Sequence, residues 1–294
     1  MAGEKVLVLC ATGKAGRNVS LALAQAGFDV YGTTRSQVDA LSSIGVTPVL
    51  ADYTKRADLD RAFAETQARK VFVLTDYFLA AKKSVDQEVA QGMAAMEAAR
   101  QAGVDHLIFM SVADAERFDD KTHHIKAKVI LEDALRRSGL PCTILRPSAF
   151  FENLDDAANW NPLKKGRVSF LSDKELKFCS TYDVGRAAAV VISHPQEWYG
   201  KSLDIVGWKG DLADLASALE RVSGTRVRAQ LAMPIFLRRL FLNDLHHMFL
   251  YFENQGLTAE PDDLKNVIAD PLSAEDWFRF HNRYANGDPI VPGT

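Results

Sequence analysis

VLVLCATGKAGRNVSLALAQAGFDVYGTTR, residues 6–35, decides the fold. Val6 to Cys10 is an apolar run of the length of a buried strand. Helical spacing begins directly after it, with Val19, Ala22, Leu23 and Ala26 at three- and four-residue steps, and Gly27 ends it before a second β-branched run, Asp29 to Thr34. Between strand and helix stands Ala11-Thr12-Gly13-Lys14-Ala15-Gly16. Strand, glycine turn and helix in that order make a seat for a pyrophosphate. Gly13 lets the backbone approach the anion, Gly16 lets the helix pack closely on the strand, and the first helical amides face the charge.

The same rhythm continues through candidate strands at Thr47 to Leu50, Val71 to Thr75, His106 to Ser111 and Cys142 to Arg146. Between the fourth and fifth strands, Val85, Val89, Gly92, Met93, Met96 and Ala99 predict an amphipathic helix whose methionines are core packing. Alternation of this kind predicts an α/β fold, a doubly wound parallel-sheet Rossmann domain with a smaller, interleaved C-terminal substrate lobe. The nucleotide domain is expected over residues 1–150, with sheet elements returning at about 180–206, and the lobe over 151–294. After Arg146-Pro147 the sequence turns aromatic and Asn-rich, at Phe150-Phe151-Glu152-Asn153 and Trp160-Asn161-Pro162. A helix near Asp183 to Ser193 and a strand near Leu203 to Val206 follow. Pro234 to Phe252 reads as one lobe helix, part of it facing a substrate pocket. Phe150, Phe151, Trp160, Phe249, Tyr251 and Phe252 suit either an apolar pocket or simple core.

With 35 basic and 38 acidic side chains, a net charge of −3 and no basic tail, the 294 residues show no electrostatic footprint for direct contact with nucleic acid or an anionic membrane. A small apolar or aromatic substrate is the better expectation. Met1 to Val8 has no secretory character and no window is apolar enough to span a bilayer, which predicts a cytoplasmic protein. Cys10, Cys142 and Cys179 are odd in number and far apart, so neither a disulfide framework nor a metal site is expected.

Where an NAD site carries an acidic residue at the end of the second strand, this chain has Thr33-Thr34-Arg35. The guanidinium fork matches phosphate oxygens, so NADP(H) is the expected cofactor, with its 2′-phosphate on Arg35. Lys14 and Arg17 either add charge to a phosphate or are solvated. Asp52 and Tyr53 stand where an adenine edge and face would lie; Asp52 serves equally as a cap for the next helix.

These residues resemble the NmrA-like family of atypical short-chain dehydrogenases/reductases, whose opening motif is Gly-Ala-Thr-Gly-x-x-Gly. The resemblance continues through Thr33-Thr34-Arg35, Glu88 to Ala99 leading to Gly103-Val104, Phe109-Met110-Ser111 and His124-x-x-x-Lys128. It extends further to Leu145-Arg146-Pro147 with Phe151-Glu152-Asn153, Asp183-Val184-Gly185 and Gly200-Lys201. One departure stands out: the first glycine is Cys10. At a strand end the backbone usually has negative φ, which tolerates cysteine; the departure bears on cofactor affinity. Beside a helix amino terminus its thiol is alternatively acidified and redox-sensitive.

The resemblance implies a catalytic helix after the fifth strand, on which short-chain reductases usually carry Tyr-x-x-x-Lys. Here His124 stands in the tyrosine place and Lys128 in the lysine place, on one helix face. Lys128 is expected on the nicotinamide ribose, and His124 is either a proton donor or a pocket-lining residue. Ser111 either bonds substrate or closes its strand. Thr75, Pro147, Ser148 and Phe150 are implied around the nicotinamide, with Tyr77 a substitute phenol. Two functions stay open. One is an NADPH-dependent oxidoreductase passing hydride to a quinone-like or conjugated carbonyl acceptor. The other is a non-catalytic NADP(H) redox sensor acting through a protein partner.

Overall fold

Val6, Leu7 and Val8 are wholly buried in succession, as in a strand covered on both faces, and they form β1 (Lys5–Val8). The computed structural model describes residues 3–154, 163–164 and 166–281. From β1 helices and strands alternate: α1 (Lys14–Gln25), β2 (Asp29–Thr34), α2 (Val38–Ser42), β3 (Thr47–Leu50), α3 (Arg56–Thr66), β4 (Lys70–Val73), α4 (Val85–Gln101), β5 (His106–Met110), α5 (His123–Arg137) and β6 (Cys142–Pro147). Next come β7 (Ala149–Phe150), β8 (Leu163–Lys164), β9 (Arg167–Phe170) and β10 (Leu176–Cys179), then α6 (Thr181–Ser193), α7 (Pro195–Trp198) and β11 (Ser202–Ile205). The chain continues as β12 (Trp208–Gly210), α8 (Leu212–Ser223), β13 (Arg228–Leu231), α9 (Ile235–Phe241), α10 (Asn243–Asn254), α11 (Pro261–Lys265) and α12 (Ala274–His281).

The main sheet has seven strands in the order β11-β6-β5-β4-β1-β2-β3. From β3 to β6 the neighbours pair in parallel, with Val6 opposite both Val30 and Lys70. Strand order reverses between β1 and β4, and the carboxyl ends beside that point are where an open parallel sheet leaves a crevice for a ligand. Leu7, Leu9, Val71, Val73, Leu107, Phe109 and Ile144 face Leu59, Phe63, Met96 and Leu131 in one core. Packing of α6 on α1 depends on Gly185, where a Cβ would lie 2.6 Å from the Ala22 Cβ and 2.8 Å from the Val19 Cα. Asn18 Nδ2 donates to Thr181 Oγ1 at 2.7 Å across that contact.

The chain divides into two compact units. The first comprises the described residues of 1–117, 123–147 and 181–204; the second, those of 118–122, 148–180 and 205–294. Set against the expected boundary at 150, the break follows Pro147, and the short 118–122 segment belongs to the second unit. That unit holds two three-stranded sheets, β12-β10-β7 and β13-β9-β8. Its core is aromatic: Phe151 stacks on Phe178 and Trp277, and Phe170 meets Phe249.

Pro234 to Phe252, expected as one helix, is two. The chain leaves helical geometry at Leu242 (φ −131°, ψ 49°), which ends α9 and precedes α10. Buried Arg238 joins them, with a bidentate pair to Glu253 at 2.7 and 2.9 Å and a contact from its Nε to His246 Nδ1 at 3.2 Å.

Candidate functional site

At the switch point, β1 ends at Val8 and a turn closes from Gly13 N to Cys10 O at 3.0 Å. Gly13 is the N-cap of α1; no side chain caps the helix and its first turn holds no acid. A Cβ at Gly16 would sit 2.1 Å from the Cys10 carbonyl oxygen, so only glycine lets α1 start this close to the turn. Ala11 and Ala15 are buried, Thr12 is partly buried, and Lys14 and Arg17 are exposed on the first turn. An uncapped helix start behind a glycine cradle, with two bases and no acid in its first turn, fits a pyrophosphate.

The threonines before Arg35 each have a task that residue type alone does not reveal. Thr33 Oγ1 accepts from Cys10 N at 2.9 Å and ties the phosphate turn to β2. Thr34 Oγ1 accepts from Gln37 N at 2.9 Å and from Ser36 N at 3.3 Å, folding a tight bend that leaves Arg35 exposed at the strand end. The Arg35 charge reaches the turn, since it is felt at the Cys10 thiol.

Two expectations for Cys10 are overturned. Its φ is +55°, in the left-handed region, because the strand stops two residues earlier and Cys10 belongs to the turn. Nor is the thiol acidified. Burial first, and the Asp76 carboxylate second, push it up to about 11, while Arg35 pulls the other way. Tyr53 lies beside it, half-buried, its phenol raised by burial and then by Cys10. The Tyr53 hydroxyl makes no well-formed hydrogen bond, the thiol being at most a weak partner. Asp52 does not cap α3, whose N-cap is Lys55; its Oδ1 instead accepts from Thr54 N at 3.1 Å and Thr54 Oγ1 at 2.7 Å, shaping the turn ahead of the helix.

On the other side of the switch point a buried charged network lies past β4. Lys128 Nζ donates to Thr75 O at 3.0 Å and Thr75 Oγ1 at 2.6 Å, and meets Glu88 Oε1 at 2.8 Å. Thr75 Oγ1 donates onward to the same Glu88 oxygen at 2.7 Å. An ammonium has three N–H bonds, and these three acceptors match them. The side chains of Lys128 and Glu88 are 8% and 0% exposed. Glu88 Oε2 and Ser111 Oγ are buried without a hydrogen-bond partner among the described residues, as groups awaiting a ligand hydroxyl, amide or water often are. To bond a ribose hydroxyl, Lys128 exchanges one of its present partners.

Glu88 is the residue the sequence reading passed over. The buried line of α4 runs through Glu88, Gly92, Ala95, Met96 and Ala99, while Met93, expected in the core, is 45% exposed. A Cβ at Gly92 would stand 2.5 Å from Leu131 Cδ2. That bare glycine brings α5 close, so that Lys128, nearly a turn before Leu131, reaches Glu88, one turn before Gly92. The signal was an acid in line with a buried glycine.

His124, one turn before Lys128, is half-buried with its ring 5.5 Å from Phe78 and 6.2 Å from Tyr77. Pro147 ends β6, buried; Phe150 is in the second unit, partly buried in β7. Phe151, Phe249 and Tyr251 are core there, Phe252 packs against that core, and Trp160 lies outside the described residues. A cleft of about 300 Å³ lined by Phe63, Gln67, Arg69 and Gln101 opens near the start of β4, away from this rim. No described helix is long and apolar enough to cross a membrane.

The NmrA-like family model matches residues 2–277. The (4-alkanoyl-5-oxo-2,5-dihydrofuran-3-yl)methyl phosphate reductase of Streptomyces griseus is 34% identical over 157 residues, 53% of this chain and 51% of its own length. The chain spans about half the length of the curated relatives it matches. Among solved structures, the Citrobacter sp. triphenylmethane reductase complexed with NADP(H) is similar with a TM-score of 0.73 at 20% identity, covering 92% of this chain and 98% of that one. The NADPH-dependent quinone oxidoreductase of a new type from Escherichia coli has a TM-score of 0.71 at 22% identity, with the same coverage. At such identities the structural likeness speaks to the fold.

Proposed function

The chain belongs to the NmrA-like family, and from that premise we propose that it is an NADPH-dependent oxidoreductase acting on a flat, conjugated acceptor such as a quinone or a conjugated carbonyl. The observation that carries this reading is the gathering, at one edge of one sheet, of an uncapped glycine turn, Arg35 at the next strand end, and the buried Lys128 network. The named substrates of the relatives point the same way: a dihydrofuranone with a carbonyl on its ring, a triphenylmethane dye and a quinone are all readily reduced conjugated systems.

When bound, the nicotinamide supplies the hydride. The residues of the chain bind, orient and exclude water. Ala11 to Gly16 and the start of α1 hold the pyrophosphate, and Arg35 takes the 2′-phosphate, with Lys14 adding charge nearby. Asp52 and Tyr53 flank the adenine. Lys128, fixed by Thr75 and Glu88, orients the nicotinamide ribose. Ser111, with a buried hydroxyl, bonds the carboxamide or the acceptor, while Pro147 borders the ring. His124, in the place of the missing tyrosine, is the candidate proton donor, and quinones can also take a proton from water. Oxidation of NADPH, followed optically with quinones and conjugated carbonyls beside a binding titration of NADPH and NADH, tests the reading. Binding without turnover would favour the sensor.

A further inference from the structure

We infer that the turn between β4 and α4 is a recognition wall for a flat ring in the acceptor, with Phe78 and Leu79 as its specificity-determining side chains. This rests on the site proposed above. Phe78 is 44% and Leu79 72% exposed, although the turn that carries them is firmly built. Asp76 Oδ1 accepts from Phe78 N at 3.0 Å and Leu79 N at 3.1 Å, so the carboxylate is spent on projecting these two residues outward. Ala81 N donates to Asp76 O at 2.9 Å and Lys83 N to Tyr77 O at 2.7 Å, closing the loop around buried Ala81. Lys82 and Lys83 both have left-handed φ, +50° and +61°. Two successive non-glycine residues in that region are strained, and such strain is characteristically stored where a site needs a fixed shape.

The wall is tied to the Lys128 centre by two rungs between the same elements. Thr75 bonds Lys128, and Tyr77 and Phe78 meet His124. Residues 124 and 128 share one face of α5, about 6 Å apart along its axis. Tyr77, itself buried, stands edge-on to Phe78 with ring centroids 5.3 Å apart and fixes that ring's orientation. A half-exposed aromatic ring, held in place, beside a branched aliphatic side chain and one helical turn from the lysine is chemistry for packing on a planar conjugated ring. A small acyclic acceptor has no face to offer it.

The test compares menadione, a fused-ring quinone, with mesityl oxide, an acyclic conjugated ketone. Phe78→Ala, and Phe78→Ala with Leu79→Ala, are expected to lower kcat/KM for menadione about tenfold, chiefly through KM, and to change that for mesityl oxide less than about twofold. NADPH affinity, unchanged in both variants, reports an intact fold and cofactor site. Calorimetric binding of menadione to the NADP⁺-loaded protein gives a reading that needs no turnover, and Phe78→Ala should weaken it by a similar factor. Equal loss for both acceptors, or menadione affinity unmoved in Phe78→Ala, overturns the inference. Menadione that binds through Phe78 without being reduced leaves the wall standing and removes the reductase.

Discussion

Lys128 and Glu88 meet at 2.8 Å in the interior of the nucleotide unit, on two helices that Gly92 allows to touch. A charge buried this deeply depends on its partner, and removing one member of such a pair typically destabilises by about 3–5 kcal/mol. Glu88→Ala and Lys128→Met should each lower the urea unfolding free energy by about that amount, while Glu88→Leu with Lys128→Met together recovers most of the loss. Additive losses would mean that the two do not act as a pair. Lys128→Ala should also cut NADPH-dependent turnover at least tenfold in protein that remains folded; unchanged turnover removes it from the site.

Arg35 is exposed at the end of β2, held there by the Thr34 bend. Arg35→Asp is expected to weaken NADPH binding by about tenfold or more and to leave NADH binding equal or improved, since the carboxylate repels a 2′-phosphate and accepts from a 2′-hydroxyl. Calorimetric titration of both nucleotides decides it. A variant with the same preference as the parent would refute the assignment.

Cys10 occupies a left-handed position with its sulfur against Gly13: a Cβ added there would lie 3.2 Å from Sγ. Such a conformation costs a side-chain-bearing residue about 1–2 kcal/mol, so Cys10→Gly should raise the melting temperature by roughly 2–4 °C and tighten NADPH binding. With its thiol pushed up to about 11, Cys10 should resist iodoacetamide near neutral pH and react only as the solution becomes strongly alkaline. Rapid alkylation at pH 7, read by mass spectrometry of the peptide, would contradict this.

The alternation of strands and helices along the chain, the glycine turn and the place of Arg35 at a strand end were legible because each depends on local sequence: apolar runs, helical spacing and residue type at a strand end. Asp29–Thr34 and Thr47–Leu50 are strands to the residue. What escaped depends on partners distant in sequence. Glu88 reads locally as an ordinary acid in a helix's first turn; only the approach of α5 over Gly92 buries it. Thr33 and Thr34 read in sequence only as part of the Thr33-Thr34-Arg35 segment, and the work of their hydroxyls appears once they meet Cys10 and Gln37. The break at Leu242 carries no proline or glycine, and is made by tertiary packing around Arg238. The turn at Cys10 was misjudged because the strand ends at Val8, a boundary that an apolar run through Leu9 conceals.

His106, wholly buried at the start of β5, has Nε2 2.8 Å from Thr143 Oγ1. Burial, and then the Lys70 charge, push its pKa down from 6.5 to about 4. The unfolded chain therefore takes up a proton near 6.5 that the folded chain refuses until about 4. Stability from this residue is complete above pH 6.5 and falls as pH drops toward 4, by up to about 3 kcal/mol. Urea midpoints from pH 7 to 4.5 should show this loss, and a His106→Gln variant, weaker at neutral pH, should show a shallower one. Parallel pH profiles for the two proteins would contradict it.

NADPH consumption with menadione, set against NADH consumption under the same conditions, tests whether this rim binds NADPH and passes its hydride to a flat conjugated acceptor. Steady turnover with NADPH, at least tenfold lower kcat/KM with NADH, and loss of both in Lys128→Ala are the expected results. Tight NADPH binding with no consumption, for menadione and for every quinone and conjugated carbonyl tried, would contradict the reductase and leave a nucleotide-sensing protein in its place.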